Sequence, residues 1–350
     1  MSLKNILRNV DRKRRQLMGG LEPLAYRLLS NNANLETALI PQNEVKKIII
    51  VRNNKRIGNM YFLLPFIHEV RAQYPNAQID LMLNQEWQGH VFENMGINKV
   101  HYSHFSFNTL KACLNSLKEV KQETYDLLLA PYSSAGDTIV SSQISARNKV
   151  TRYNQKRLAV FPHSPKISQD HRHMALAPLC IFKGLGFQLS QQWDHRMSLT
   201  EQELTQGSDA AKSLKEEGVI NVAYFRGARG KKLLSAKTWE SVLTNYENTS
   251  QAQVNWVEIL SPDIKEPLRE GIQTFQTNNM RHLAAVLTQF DRFICCDTGP
   301  LHLADAADVK CLGLYNETDP ESFGLLSKHS YHIECDIEDE SQLKSQLSAV

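Results

Sequence analysis

Four short stretches of this sequence gather side chains able to hold an anion or move a proton, and each follows an apolar run. The densest is Cys296-Asp297-Thr298-Gly299-Pro300-Leu301-His302-Leu303-Ala304. Asp297 or Thr298 can cap a helix there, Pro300 suits its first turn, and Gly299 lets a ligand approach the backbone closely. Such a helix start offers unpaired N–H groups and the positive end of a dipole to a phosphate, with His302 as an added donor. The second stretch runs from Phe225 through Arg226, Gly227, Ala228, Arg229, Gly230 and Lys231 to Lys232, with Lys237 and Trp239 beyond. Its four cations and two glycines suit a phosphate group. It is not a Walker loop, because G-x-x-x-x-G-K-[ST] is absent, and no G-x-G-x-x-G fingerprint occurs.

The third stretch places Arg52, Lys55 and Arg56 around a Gly58-Asn59 turn, a seat for an anionic acceptor. The fourth, Tyr132 to Asp137, sets a carboxylate near a helix start. Each has a plainer account: a well-capped helix with an incidental histidine, a solvated basic loop, a carboxylate that only caps. What favours chemistry is their shared position after strands. Weaker signals are set aside. His171 and His173 lack a third ligand, and Cys295-Cys296 lies in an apolar run. The six cysteines form no zinc-finger spacing, and no D-x-D pair offers carboxylates to Mg²⁺. No metal site is expected, so phosphate neutralisation falls to side chains and helix ends.

The elements that must position these loops are legible as an alternation. Lys47-Ile-Ile-Ile-Val51 reads as a strand buried on both faces of a parallel sheet. A helix over 60–74 follows, then a strand at 78–83, a helical stretch at 85–95, a strand at 98–102, a helix at 108–122 and a strand at 125–130. Pro162, Pro165 and Pro178 mark a loop leading into a helix over 173–185, and Gly184, Gly186 and the polar run 188–192 mark a crossing. The alternation restarts with a strand at 218–225, a helix at 236–247, a strand at 254–260, helices at 263–274 and 280–288, a strand at 292–296, a helix at 300–307 and a strand at 310–314. Two doubly wound units result, Rossmann-like α/β domains facing a central cleft. The expected limits are a basic amphipathic segment 1–45, a first domain 46–187, a linker 188–200 and a second domain 201–350.

Composition agrees with that class. The 350 residues carry 42% hydrophobic and 22% charged side chains, close to globular averages, and a formal charge of +3 argues against a general nucleic-acid binder. The charge is uneven. Residues 1–30 hold seven cations against two acids, a surplus of five, which leaves −2 for the rest of the chain. Interleaved leucines suggest a basic amphipathic helix that attaches to an anionic membrane face, or one packed on the first domain. No run approaches the roughly 20 apolar residues of a membrane span, and no export signal is recognisable.

At these residues the sequence resembles glycosyltransferase family 9, the ADP-heptose lipopolysaccharide heptosyltransferases. Asp297-Thr-Gly-Pro-Leu-His-Leu-Ala304 resembles that family's D-[ST]-G-x-x-H-[LI], Lys237-Thr-Trp239 its K-x-W, and Arg52 through Pro65 its segment around Ile-Gly-Asp. The resemblance implies a GT-B fold, with the acceptor on the first domain and the nucleotide-heptose on the second. It implies an inverting transfer without a metal or cofactor, from ADP-heptose to the Kdo or inner-core region of lipopolysaccharide, at the cytoplasmic face of the inner membrane. Arg226, Gly227, Arg229, Lys237, Asp297, Thr298, Gly299, Pro300 and His302 would then form the donor site. Arg52, Lys55, Arg56 and Gly58 would meet the acceptor.

One departure bears on the chemistry. The family's aspartate in the Ile-Gly-Asp turn, its general base, is Asn59 here, and an amide cannot take a proton at neutral pH. Asp137 is the leading replacement, expected at a strand's carboxyl end facing the cleft. The acceptor's own phosphate or a histidine within 163–173 are the others. The missing aspartate also motivates a different function, a catalytically silent GT-B protein that binds a sugar nucleotide or glycolipid. A sugar-nucleotide epimerase of the same architecture is a third reading.

Overall fold

In β1 (Lys47–Val51) the last four residues are fully buried, and they divide between two cores, Ile48 and Ile50 on one face and Ile49 and Val51 on the other. A strand apolar on both sides needs cover on both sides, which parallel crossovers supply. The computed structural model describes residues 22–106, 115–168, 170–334 and 345–346. Around β1 stand β2 (Gln78–Leu83), β3 (Lys99–Tyr102), β4 (Thr124–Ala130) and β5 (Ser145–Thr151), all parallel, in the order β3-β2-β1-β4-β5.

The second sheet repeats the plan. Its strands are β6 (Ile220–Phe225), β7 (Val254–Leu260), β8 (Gln273–Gln276), β9 (Arg292–Cys296), β10 (Cys311–Tyr315) and β11 (Tyr331–Glu334), again all parallel, in the order β11-β10-β9-β6-β7-β8. In each sheet the first strand pairs with both its second and its fourth, so the order reverses between β1 and β4 and between β6 and β9. Crevices at such reversals are where open α/β sheets hold ligands.

The two domains meet through a continuous apolar core that includes Ile50 and Met60 from the first and Phe293 and Leu301 from the second. Arg281, on the helix Met280–Leu287, is buried and ties them polarly. Its guanidinium donates to Glu203 at 2.5 and 2.7 Å, to the Ser198 carbonyl at 2.5 Å and across the boundary to the His90 carbonyl at 3.0 Å.

Several elements differ from expectation. Residues 263–274 are not a helix: Ile264, Leu268 and Ile272 have helical spacing, but Pro267 interrupts it and Gly271 sits at φ +77°, so the stretch is a loop running into β8. The stretch at 85–95 is a 3₁₀ helix, Glu86–Phe92, closed by a Gln85–Gln88 capping box. The run 173–185 splits into Ala177–Leu179 and Cys180–Gly184. Residues 108–114 of the expected helix 108–122 lie outside the described residues, as do residues 1–21 of the basic segment; the described remainder ends in a 3₁₀ turn, Val120–Gln122. Residues 22–29 are helical, with Tyr26 in the first domain's core and Leu24, Leu28 and Leu29 exposed at 57, 80 and 45%.

Candidate active site

The four stretches read from the sequence are the four loops at the two switch points. Residues 52–59 and 131–137 follow β1 and β4; 226–232 and 297–302 follow β6 and β9. The two sets face each other at short range. A Cβ on Gly299 would run into Ile57 Cγ2, and one on Gly58 would lie 3.3 Å from His302 Cδ2. Both glycines are there because the domains touch at this point.

Asp297 organises the second switch point. His302 Nε2 lies 2.9 Å from its Oδ1, Thr318 Oγ1 donates to its Oδ2 at 2.5 Å, and Lys232 Nζ pairs with the same Oδ2 and reaches the Asp297 carbonyl at 3.0 Å. Burial opposes the charge, yet the bonds from His302, Lys232 and Thr318 outweigh it and hold the carboxyl far below its usual range. Both carboxylate oxygens are therefore occupied. Asp297 shapes the turn and is no ligand for an anion.

Thr298 takes the N-cap position of the helix Gly299–Ala306, with Pro300 in its first turn, but its side chain makes no capping bond. Its hydroxyl lies instead 3.2 Å from Cys295 Sγ. The helix start remains uncapped by side chains, a favourable place for a phosphate.

The loop after β6 divides its cations. Arg226 is paired with the fully buried Glu258 and donates to the Glu266 carbonyl at 2.5 Å, while Glu258 also accepts from Tyr224 Oη at 2.8 Å and from the Leu268 amide at 2.7 Å. Arg226 thus anchors the loop, where the sequence pointed to a donor ligand. Gly227 folds against the Phe225 ring. Arg229 and Lys237 are exposed and form no ion pair among the described residues. Lys237 stands in the first turn of the helix Ala236–Thr249, which Ser235 caps by accepting from the Thr238 amide at 3.0 Å.

The first switch point corrects the sequence reading more strongly. Asp137 does not face the cleft as a free carboxylate: it is 0% exposed, and its oxygens accept from the Asn53 amide at 2.5 Å, the Ser134 amide at 3.0 Å and Ser134 Oγ at 2.6 Å. Arg52 Nη1 lies 3.5 Å from the same group, with its guanidinium 3.8 Å from the centre of the Tyr132 ring. Arg52 is 5% exposed, so it too is no open anion ligand. A carboxylate so engaged has no lone pair aimed at a substrate hydroxyl. Lys55 and Arg56 are exposed, and Asn59 is half-buried with no side-chain hydrogen bond among the described residues.

Lys232, one of the four cations read as suited to a phosphate, is instead paired with Asp297, and sequence reasoning missed Glu258, Thr318 and the polar cluster under the acceptor loop, where Asn53 Oδ1 accepts from Asn84 Nδ2 at 2.7 Å and Ser103 Oγ at 2.6 Å. Glu258 had a signal: a lone acid inside an apolar strand demands a buried cation nearby. Thr318 had none. Among the described residues no three His, Cys, Asp or Glu side chains converge as a metal ion requires.

The family model for glycosyltransferase family 9 (heptosyltransferase) matches residues 114–349. Among solved structures the chain is similar to a glycosyl transferase family 9 protein from Veillonella parvula, at 15% identity, with 89% of this chain and 92% of that one covered and a TM-score of 0.73. It is similar also to the E. coli ADP-heptose lipopolysaccharide heptosyltransferase II (14% identity, 87% and 98% covered, TM-score 0.66) and to E. coli heptosyltransferase WaaC with ADP (16%, 87% and 98%, 0.66). At such identities the likeness is one of fold. No curated protein sequence matches the chain significantly.

Proposed function

The chain belongs to glycosyltransferase family 9, the heptosyltransferases, with a GT-B fold, and from that premise we propose that it moves a heptose from ADP-heptose to the Kdo or inner-core region of lipopolysaccharide. The observation that carries this reading is the helix start at Thr298–Gly299, uncapped by side chains, beside the outward cations Arg229 and Lys237 and opposite the Gly58 turn. A sugar diphosphate set there has its leaving group against cationic charge and its anomeric carbon toward the first domain. Negative charge growing on ADP as the C–O bond breaks is met by N–H dipoles and side chains already in place. Transfer then needs no metal ion, and attack from the first domain, opposite the leaving group, inverts the anomeric centre.

Lys55 and Arg56 suit the anionic acceptor. No helix among the described residues is long and apolar enough to cross a membrane. The outward leucines at 24, 28 and 29, continued by the basic residues before them in sequence, fit peripheral contact with the cytoplasmic face of an anionic membrane.

The test is ADP release from ADP-heptose with Kdo-lipid A in anionic vesicles, in EDTA, for the full chain and for one lacking residues 1–21. Release that requires both ligands and survives EDTA is expected, with weaker co-sedimentation of the shortened chain. Tight donor binding without release would replace the transferase with the silent binding protein, and release without acceptor would point to an epimerase. Equal co-sedimentation would remove the membrane role of residues 1–21.

A further inference from the structure

Position 59 cannot act as a base. The alternatives that the sequence offered are engaged elsewhere: Asp137 by Asn53, Ser134 and Arg52; His163 by Asn148, the Lys149 amide and the Glu36 carbonyl; His171 against the Trp193 ring; His173 by the Gly324 carbonyl at 3.0 Å and the Ala175 amide at 3.2 Å. Across the cleft, His302 comes to the same spot. Its ring edge abuts Gly58, and its centroid lies 4.6 Å from that of Phe62, so it stands beside the turn that carries Asn59.

Asp297 decides which ring nitrogen holds the proton. A carboxylate only accepts, so at 2.9 Å from Oδ1 it is Nε2 that bears hydrogen, and Nδ1 keeps its lone pair. His302 Nδ1 has no partner among the described residues and is not among the unpartnered side-chain nitrogens closed off from solvent. It is the one ring position left to meet a substrate. The charged and titratable groups around this ring are Asp297 and Lys232 from the loops after β9 and β6, His173 from the loop before Ala177–Leu179, and Asp305 on its own helix; Ile57, Gly58 and Phe62 on the facing side are uncharged.

We propose that His302, held by Asp297, accepts the proton of the acceptor hydroxyl in this enzyme, the task Asn59 cannot perform. The inference rests on the transferase reading above. In the step, the hydroxyl oxygen bonds to the anomeric carbon as the bond from that carbon to the diphosphate oxygen breaks. Its electron pair departs on ADP, and the hydroxyl proton passes to Nδ1. The imidazolium is stabilised by Asp297 and returns its proton to solvent after release. Because the ring sits on the donor domain, the base and the diphosphate site are built on a single helix.

The test compares wild type, His302→Asn, Asn59→Asp and the double variant by steady-state kinetics from pH 4.5 to 8.5, with donor affinity measured by calorimetry. His302→Asn is expected to lower kcat by about 10²–10⁴-fold while donor affinity holds. The wild-type kcat/KM should decline toward acid, because protonation takes the lone pair that the base needs. Asn59→Asp should restore turnover in the double variant and move that decline to the carboxylate range, about 4. An unchanged acid limb in His302→Asn overturns the proposal. So does a loss of donor affinity that accounts for the whole effect and that Asn59→Asp does not rescue. If His302→Asn misfolds, Asn59→Asp alone decides: a downward shift of the acid limb supports the proposal and an unmoved one overturns it. Wild type that releases no ADP at all sinks the functional reading, an outcome distinct from every one of these.

Discussion

At the first switch point the carboxylate and the nearest cation close on each other: Asp137 and Arg52 are both buried, and the arginine lies against Tyr132. At the second, Arg226 and Glu258 form the same kind of closed pair, but a second carboxylate, Asp297, holds a lysine, a threonine and a histidine. Both tips therefore use their inner cations in ion pairs that build the loops and leave their outer cations, Lys55 and Arg56 or Arg229 and Lys237, toward solvent. What differs is the partner. Arginine does not titrate in proteins, whereas histidine does so near neutral pH. The second tip can thus bind charge and move a proton, while the first can only position and attract.

The sharpest way to break this comparison is to remove one locked and one open cation from the same loop region. Arg226→Ala leaves Glu258 charged, buried and unpaired, and should cost about 3–5 kcal/mol of stability, read as a fall in urea midpoint. Lys237→Ala removes a cation that forms no ion pair among the described residues. It should leave that midpoint in place and lower kcat by about 10²–10³-fold, as loss of a group that stabilises the departing diphosphate does. If Lys237→Ala unfolded the protein, or Arg226→Ala left stability intact, the division into locked and open cations would be wrong.

Asp137→Asn sharpens the comparison from the other side. The substitution keeps the shape but loses the charge that meets Arg52 and accepts two amides and a hydroxyl. A stability loss of about 1.5–3 kcal/mol is expected, in line with hydrogen bonds to charged groups. The pH profile of kcat/KM should keep its acid limb. Disappearance of that limb would return the base to Asp137 and move proton transfer to the first domain.

Which of these features the sequence reveals follows from what each residue faces. β1, β4, β6 and β9 are plain because strands covered on both sides read as largely apolar runs, and the loops after them follow. β5 is hidden by its composition. Asn148 and Lys149 are buried there because residues 31–40 run along that edge strand: Asn148 Oδ1 accepts from the Ile40 amide at 2.8 Å, and Lys149 Nζ donates to the Asn31 carbonyl at 2.7 Å. β8, Gln-Thr-Phe-Gln, is an edge strand with little apolar signal. The motif at 297–302 names its residues but not their division of labour, since a carboxylate after a strand reads the same whether it meets a ligand or a neighbouring lysine. Asp137 is the same ambiguity resolved inward. Only the partners decide it.

The comparison also requires that the two tips stay opposed, and the polar link across the boundary is Arg281, which reaches the His90 carbonyl from the first domain while Glu203 of its own domain fixes the guanidinium. The Arg281 guanidinium, with help from Thr200, draws the Glu203 carboxyl down to about 2 against a modest opposing effect of burial. A depressed carboxylate contributes stability that is complete above its unfolded value, 4.5, and is lost as pH falls toward the folded one. Between pH 5 and pH 2 the urea midpoint should therefore fall in the wild type, and fall less steeply in Glu203→Gln, which has no such proton to gain. The difference between the two proteins is the smallest of the effects expected here, because other carboxylates, Asp194 among them, also drawn down to about 2, contribute to the same slope. Identical slopes in the two proteins would mean that Glu203 adds nothing to the closed arrangement, and that the apolar core around Met60 and Leu301 holds the tips together unaided.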